Sequence, residues 1–107
     1  MLKDISIVIL CGGRGTRIRS SIGDYPKLLA PINDEPFLTY LLNWINISFE
    51  NINYEIILAT GYLHEIILEF CDKNKIKVKF AKESRPLGTL GAAFNASLLA
   101  ESNNLLI

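Results

Sequence analysis

The sequence predicts an α/β fold, a Rossmann-like parallel sheet with helices on both faces. Short β-branched runs closed by glycine alternate with longer apolar stretches at helical spacing. No internal repeat, low-complexity tract or linker interrupts that alternation. Strand–helix pairs in this order imply right-handed crossovers and a sheet covered on both sides.

The elements follow in order. Ile5 to Leu10 (ISIVIL) is a β-branched run ended by glycines, hence a buried strand. Pro36 to Phe49 lacks strict alternation, carries Leu38, Leu41, Leu42 and Ile45 at helical spacing, and opens at a favourable proline. Glu55 to Thr60 (EIILAT) is a second strand, stopped by Gly61. Leu63 to Cys71 is a second helix with Ile66, Ile67 and Phe70 turned inward. Ile76 to Ala81 alternates as IKVKFA, a strand nearer the sheet edge. Gly88 to Ala100 is a helix rich in alanine and leucine, and Leu105 to Ile107 begins a fourth strand.

The 107 residues, half of them hydrophobic, suit one small domain. Eleven basic residues balance eleven acidic ones, which removes the electrostatic case for a nucleic-acid partner. No apolar stretch approaches the ~20 residues of a membrane span, and the N-terminus lacks a secretion signal. No membrane partner and a cytoplasmic location are expected. Cys11 and Cys71, far apart in apolar surroundings, read as two buried thiols in a reducing compartment rather than a disulfide or metal pair.

In an open parallel sheet a ligand sits outside the carboxyl ends of the strands. The glycine loop after Leu10, Gly61, and the segment after Ala81 all fall at that edge. The first of them reads ILCGGRGTRIRSSIGDYPK. A dinucleotide fingerprint needs a further correctly spaced glycine after Gly15, and the ATPase phosphate loop needs a lysine there; both are missing. The glycines can still turn successive N–H groups toward one point, a nest for anions. Arg14, Arg17 and Lys27 could surround it with cations, Pro26 restricting the approach to Lys27. A plain strand-to-helix turn with solvated arginines is the alternative that composition leaves open.

The stretch CGGRGTRIRSSIGDYPKLLAPINDEPFLTYLL resembles the opening signature of the sugar-nucleotide pyrophosphorylases, nucleotidyltransferases with the pattern GG-x-GTR, a spacer, then PK-x-x-x-P. Gly12, Gly13, Gly15, Thr16, Arg17, Pro26, Lys27 and Pro31 supply every fixed element. GYLHEII resembles the family's second loop and helix, and ESRPLGTLGAA the segment that holds nucleobase and sugar. The PLGT form and short spacer look most like the D-glycero-α-D-manno-heptose 1-phosphate guanylyltransferases, with mannose-1-phosphate guanylyltransferases the nearer rivals.

The resemblance implies the N-terminal part of a nucleotidyltransferase (glycosyltransferase-A-like) domain over residues 1–107. It implies transfer of a nucleotidyl group from an NTP, GTP favoured, to a sugar 1-phosphate with release of pyrophosphate and with Mg²⁺ present. Positioning and charge stabilisation would dominate that reaction. Cys11, Gly12, Gly13, Arg14, Gly15 and Thr16 would form the phosphate loop, Arg17 would hold the β- and γ-phosphates, and Lys27 would neutralise charge near the α-phosphate or the incoming sugar phosphate. Gly88 and Thr89 would line the base pocket, a side chain at Gly88 crowding the ring. The family often puts a base-reading polar residue where Glu83 stands. A carboxylate accepts but does not donate, which suits the adjacent N1–H and N2–H donors of guanine. The bland reading of Glu83 is a solvated glutamate in a charged KESR turn.

The family's Mg²⁺-binding aspartate follows the strand equivalent to NNLLI, and no residue up to Ile107 matches it. Very weak or absent catalysis by these 107 residues is expected, and a non-catalytic nucleotide-binding or assembly module is the alternative function. A fourth strand ending at Ile107 would expose a sheet edge and apolar helix faces, so a homo-oligomer is a natural expectation. Asp24 and Asp34 read as surface turn residues, and His64 as a solvated or cap-related histidine. Tyr40 and Trp44 read as helix packing, and the charges of Asp72 to Lys79 as solvated surface. Arg19 and Arg85 flank the possible site.

Overall fold

β1 (Ile5–Leu10) opens a parallel sheet, and among the described residues two small antiparallel hairpins precede the first α-helix. The computed structural model describes residues 3–12, 17–20, 23–85 and 87–107; of residues 17–20 it describes the backbone. The first hairpin pairs β2 (Arg17–Ser20) with β3 (Gly23–Pro26). A 3-10 turn, Lys27–Leu29, leads into β4 (Pro31–Ile32) and β5 (Glu35–Pro36). Asn33 and Asp34 join these last two strands at φ 51° and 69°. A two-residue turn with both φ values positive matches strand twist, and Asn and Asp tolerate that conformation. Asp34 is thus the turn residue the sequence implied.

After the hairpins come α1 (Phe37–Ser48), β6 (Tyr54–Thr60), α2 (His64–Lys73), β7 (Lys79–Lys82), α3 (Gly88–Ser97) and β8 (Leu105–Leu106). The sheet order is β7–β6–β1–β8, and every pair is parallel. The β1–β6 ladder runs from Ile5 opposite Tyr54 to Leu10 opposite Ala59, so each strand presents alternate residues to opposite faces. On one face Ile7, Ile56 and Leu58 pack with Leu38 and Ile45 of α1 and with Ile67 and Cys71 of α2. On the other, Val8, Ile57, Ala59 and Ala81 meet Ala96 of α3, whose small side chains let the helix lie close. The chain leaves β1 toward β6 on one face and returns to β8 on the other. That reversal of strand order places a ligand crevice at the carboxyl ends of the strands.

The amino ends are closed by a polar hub. Buried Glu55 accepts from Ser6 Oγ at 2.5 Å and from the Glu101 N–H at 2.6 Å, and its other oxygen faces Lys79 Nζ at 2.8 Å. Burial alone would raise the Glu55 carboxyl. The contacts from Glu101, Lys79 and Ser6, with the Lys79 charge, outweigh it and leave the group below its ordinary value. Lys79 also donates to Glu101 and to the Leu99 carbonyl, so one end of the charge-rich Asp72–Lys79 stretch ties β7 to the segment before β8.

Several expectations are corrected. The third strand starts at Lys79 rather than Ile76, and the third helix ends at Ser97. Ile66 lies on the outer side of α2, where Ile67 and Cys71 take the inward positions. Trp44 is 60 % exposed because α1 turns Leu38 and Ile45 to the sheet, while Tyr40 spends its hydroxyl on the Ile32 carbonyl at 2.8 Å. The outer side of α3 leaves Leu90, Phe94 and Leu98 exposed, and β8 is exposed too.

Candidate functional site

Three backbones converge at the carboxyl edge. Cys11 extends the β1–β6 pairing by one bond, its N–H donating to the Ala59 carbonyl at 2.8 Å, which fixes Gly12 beside Gly61. A Cβ on Gly61 would stand 3.4 Å from Gly12 Cα. Glu83 extends the β6–β7 pairing in the same way, its N–H donating to the Thr60 carbonyl at 3.0 Å. Its side chain then turns across the strand ends toward the two glycines. A Cβ on Gly12 would lie 2.7 Å from Glu83 Oε1, so the carboxylate occupies the space that glycine leaves. Glu83 Oε2 is buried and has no hydrogen-bond partner among the described residues. An unmet buried acceptor of this kind costs about 1–3 kcal/mol, so it is set to receive a donor. Glu83 is therefore half-buried in the crevice, not a solvated turn residue.

The floor under these groups is stiff. Thr60 is fully buried, and its hydroxyl lies 2.6 Å from His64 Nδ1. The His64 N–H donates to the Gly61 carbonyl at 2.9 Å, and its ring meets Phe80 edge-on. His64 is thus a buried residue at the first position of α2 that supports the Gly61 loop, and of the solvated or cap-related placements expected the solvated one is corrected. Cys11 and Cys71 are buried and outside any disulfide. Burial, followed by the neighbouring Cys71, pushes the Cys11 thiol up to about 12, and burial pushes Cys71 to about 11. Both behave as small apolar groups.

The hairpin β2–β3 brings two of the expected cations into register. Arg17 is the partner of Pro26 in the ladder, and Lys27 follows Pro26 directly. Pro26 is fully buried, which anchors this end of the hairpin. Lys27 is exposed and borders a largely apolar cavity of about 390 Å³ with Leu10, Cys11 and Leu28. The next described element after β1 is therefore the first strand of a hairpin. Gly13, Arg14, Gly15 and Thr16 lie outside the described residues, as does the side chain of Arg17.

Gly88 opens α3 at φ 73°, a conformation that favours glycine, and a Cβ there would point into open space. The backbone, rather than crowding by protein atoms, demands glycine at this position. Thr89 follows it, exposed, and Arg85 is exposed nearby. Sequence reasoning missed one polar contact here: Tyr62, in the loop after β6, donates its hydroxyl to Asp24 Oδ2 on β3. Asp24 is a strand residue, not a turn residue. Among the described residues no three His, Cys, Asp or Glu side chains gather where they could hold a metal ion.

Residues 6–107 match the family model described as nucleotidyl transferase. The chain belongs to that nucleotidyltransferase family. The D-glycero-alpha-D-manno-heptose 1-phosphate guanylyltransferase of Campylobacter jejuni is 46 % identical over 87 residues, covering 79 % of this chain and 38 % of that protein. The enzyme of the same name from Aneurinibacillus thermoaerophilus is 37 % identical over 102 residues, covering 94 % and 43 %. The crystal structure of HddC from Yersinia pseudotuberculosis complexed with GMP-PN superposes with a TM-score of 0.69 at 36 % identity, covering 94 % of this chain and 44 % of that one. The chain thus spans less than half the length of these nucleotidyltransferases.

Proposed function

We propose that the chain forms the nucleotide-binding part of a guanylyltransferase that acts on a sugar 1-phosphate, heptose or mannose 1-phosphate being the acceptors suggested by its motifs. An oxygen of the sugar phosphate attacks the α-phosphorus of GTP. The bond from that phosphorus to the bridging oxygen breaks, and pyrophosphate leaves. The glycine-loop amides and Arg17 hold the β- and γ-phosphates, Lys27 offsets charge near the α-phosphate, and Gly88 and Thr89 line the base pocket. The names of the relatives and the nucleotide analogue in the HddC structure support a guanylyl rather than a uridylyl reading. Family chemistry implies Mg²⁺ in the whole enzyme. The acidic groups among the described residues do not assemble a site for it, so no step here is assigned to a metal. A cytoplasmic setting accords with two thiols outside any disulfide.

The observation that carries the reading is Glu83, whose Oε2 is buried and unmatched and whose Oε1 lies against Gly12 and Gly61. Guanine alone among the common bases offers two adjacent donors, N1–H and N2–H, to such a carboxylate. Titration calorimetry should show a clear preference for GTP over UTP that collapses in Glu83→Gln. Equal binding of both nucleotides by the unaltered chain would refute the guanine assignment.

A further inference from the structure

We propose that Tyr62 is a positioning residue that clasps the β2–β3 hairpin to the loop after β6, holding the backbone of Arg17 and Lys27 at a fixed place relative to the base floor. This rests on the reading of the site as a nucleotide pocket. The hairpin ladder has only the four residue pairs from Arg17–Pro26 to Ser20–Gly23. A two-stranded hairpin of that size is marginal alone and takes its orientation from what it touches. Buried Pro26 anchors one end, where the chain enters the 3-10 turn. Half-buried Tyr25 beside it packs on the core, so the hairpin is seated firmly at its Pro26 end.

The bond from Tyr62 Oη to Asp24 Oδ2 adds a polar tie two residues before Pro26, across 38 positions of sequence, and links the hairpin to the loop after β6. The Tyr62 ring is 69 % exposed, so burial does not account for its placement, and its polar end marks where the residue acts. Tyr62 follows Gly61, which touches Gly12 and lies against Glu83. The clasp therefore joins the element that leads from Arg17 to Lys27 to the loop that forms the floor under the base. A neutral donor on a carboxylate also gives a charge-assisted bond, stronger than a neutral pair.

The test uses Tyr62→Phe, which removes only the hydroxyl, Asp24→Asn, which keeps an acceptor oxygen, and the double variant. Calorimetry with GTP and with guanosine reads the phosphate contribution as the ratio of the two affinities. In Tyr62→Phe that ratio should fall about fivefold with guanosine binding unchanged. Asp24→Asn should keep most of the ratio, and the double variant should lose no more than Tyr62→Phe, since both changes act on one contact. Amide hydrogen exchange should quicken across residues 23–25 in Tyr62→Phe with the melting temperature little altered. An unchanged ratio in Tyr62→Phe, where the unaltered chain prefers GTP, overturns the clasp alone. Parallel loss of GTP and guanosine binding also overturns it, because that marks general loosening. Equal affinity of the unaltered chain for GTP and guanosine overturns the clasp together with the nucleotide reading beneath it.

Discussion

Adding one methyl group at Gly12 should separate the stability of the site from its choice of base. In Gly12→Ala the new Cβ would stand 2.7 Å from Glu83 Oε1, closer than carbon and oxygen can approach, and 3.4 Å from the Gly61 nitrogen. The first contact is with the end of a flexible side chain, so the carboxylate swings away and the backbone stays. Gly12 does not have the left-handed φ that would strain alanine. The folding cost is then that of moving one side chain off its preferred rotamer, about 0.5–1.5 kcal/mol. The binding cost is larger. Hydrogen bonds to a charged group contribute about 1.5–3 kcal/mol each, and ~1.4 kcal/mol is tenfold in affinity. Displacing Glu83 from N1–H and N2–H should lower the GTP-to-UTP affinity ratio by at least about tenfold.

The ratio is the informative quantity because both ligands carry the same triphosphate. Any disturbance of the adjacent phosphate loop cancels from it, whereas loss of base reading does not. Calorimetric titration with the two nucleotides, with a chemical unfolding curve on the same variant, checks both halves of the argument. A GTP preference retained in Gly12→Ala would show that Glu83 does not read the base from the position described. A loss of several kcal/mol in stability would show that the backbone, not the carboxylate, gives way.

Arg17→Ala should weaken GTP binding by about tenfold or more while leaving guanosine nearly unchanged, since the guanidinium supplies charge-assisted donors to phosphate; calorimetry with both ligands checks this, and equal losses would remove Arg17 from the phosphates. In a full-length protein carrying this chain, Lys27→Ala should lower guanylyl transfer more than it weakens GTP binding, and an unchanged turnover number would exclude Lys27 from the reaction. Glu55 titrates below its ordinary 4.5 in the folded chain, so its stabilising contribution is present above that pH and is lost as pH falls through the lowered folded value. Urea unfolding from about pH 6 to about pH 3 should show a steeper loss of stability in the unaltered chain than in Glu55→Gln, and parallel curves would refute the hub.

The parallel sheet was legible because its strands are unbroken β-branched runs stopped by glycine, and both β1 and β6 stand within one residue of where ISIVIL and EIILAT place them. The hairpins were not. β4 and β5 are two residues each and mostly exposed, too short to carry a periodicity, and only the positive φ at Asn33 and Asp34 reveals their turn. Burial of His64 was hidden for a related reason. A lone histidine four residues after a strand-ending threonine carries no pattern, and its hydrogen bond with Thr60 exists only once α2 folds back on β6. Nothing in GGRGTR says that its last residue opens a hairpin strand rather than a helix. Trp44 and Ile66 were misplaced because helical spacing gives a face but not which neighbour of that face turns in.

The two half-hidden glutamates show how far polar accounting can separate structure from function. Glu55 and Glu83 stand at opposite ends of the sheet, one at the start of β6 and one just beyond β7. Glu55 is answered from within: Ser6 and the Glu101 amide donate to one oxygen, and the other, which accepts no hydrogen bond, lies 2.8 Å from the Lys79 ammonium as an ion pair. Those partners exist in the folded chain without any ligand, so its burial serves stability. Glu83 is held in place by its own backbone bond to Thr60, but its Oε2 meets no donor among the described residues. A fold that only needed to close its sheet could have placed an apolar side chain there at less cost. The carboxylate faces two glycines and fills the space that a side chain on Gly12 would take. Backbone geometry and an unmet acceptor coincide at the end of the sheet where α/β folds take their ligands, and the glycine-rich loop that would hold the phosphates starts beside that carboxylate, at Gly12.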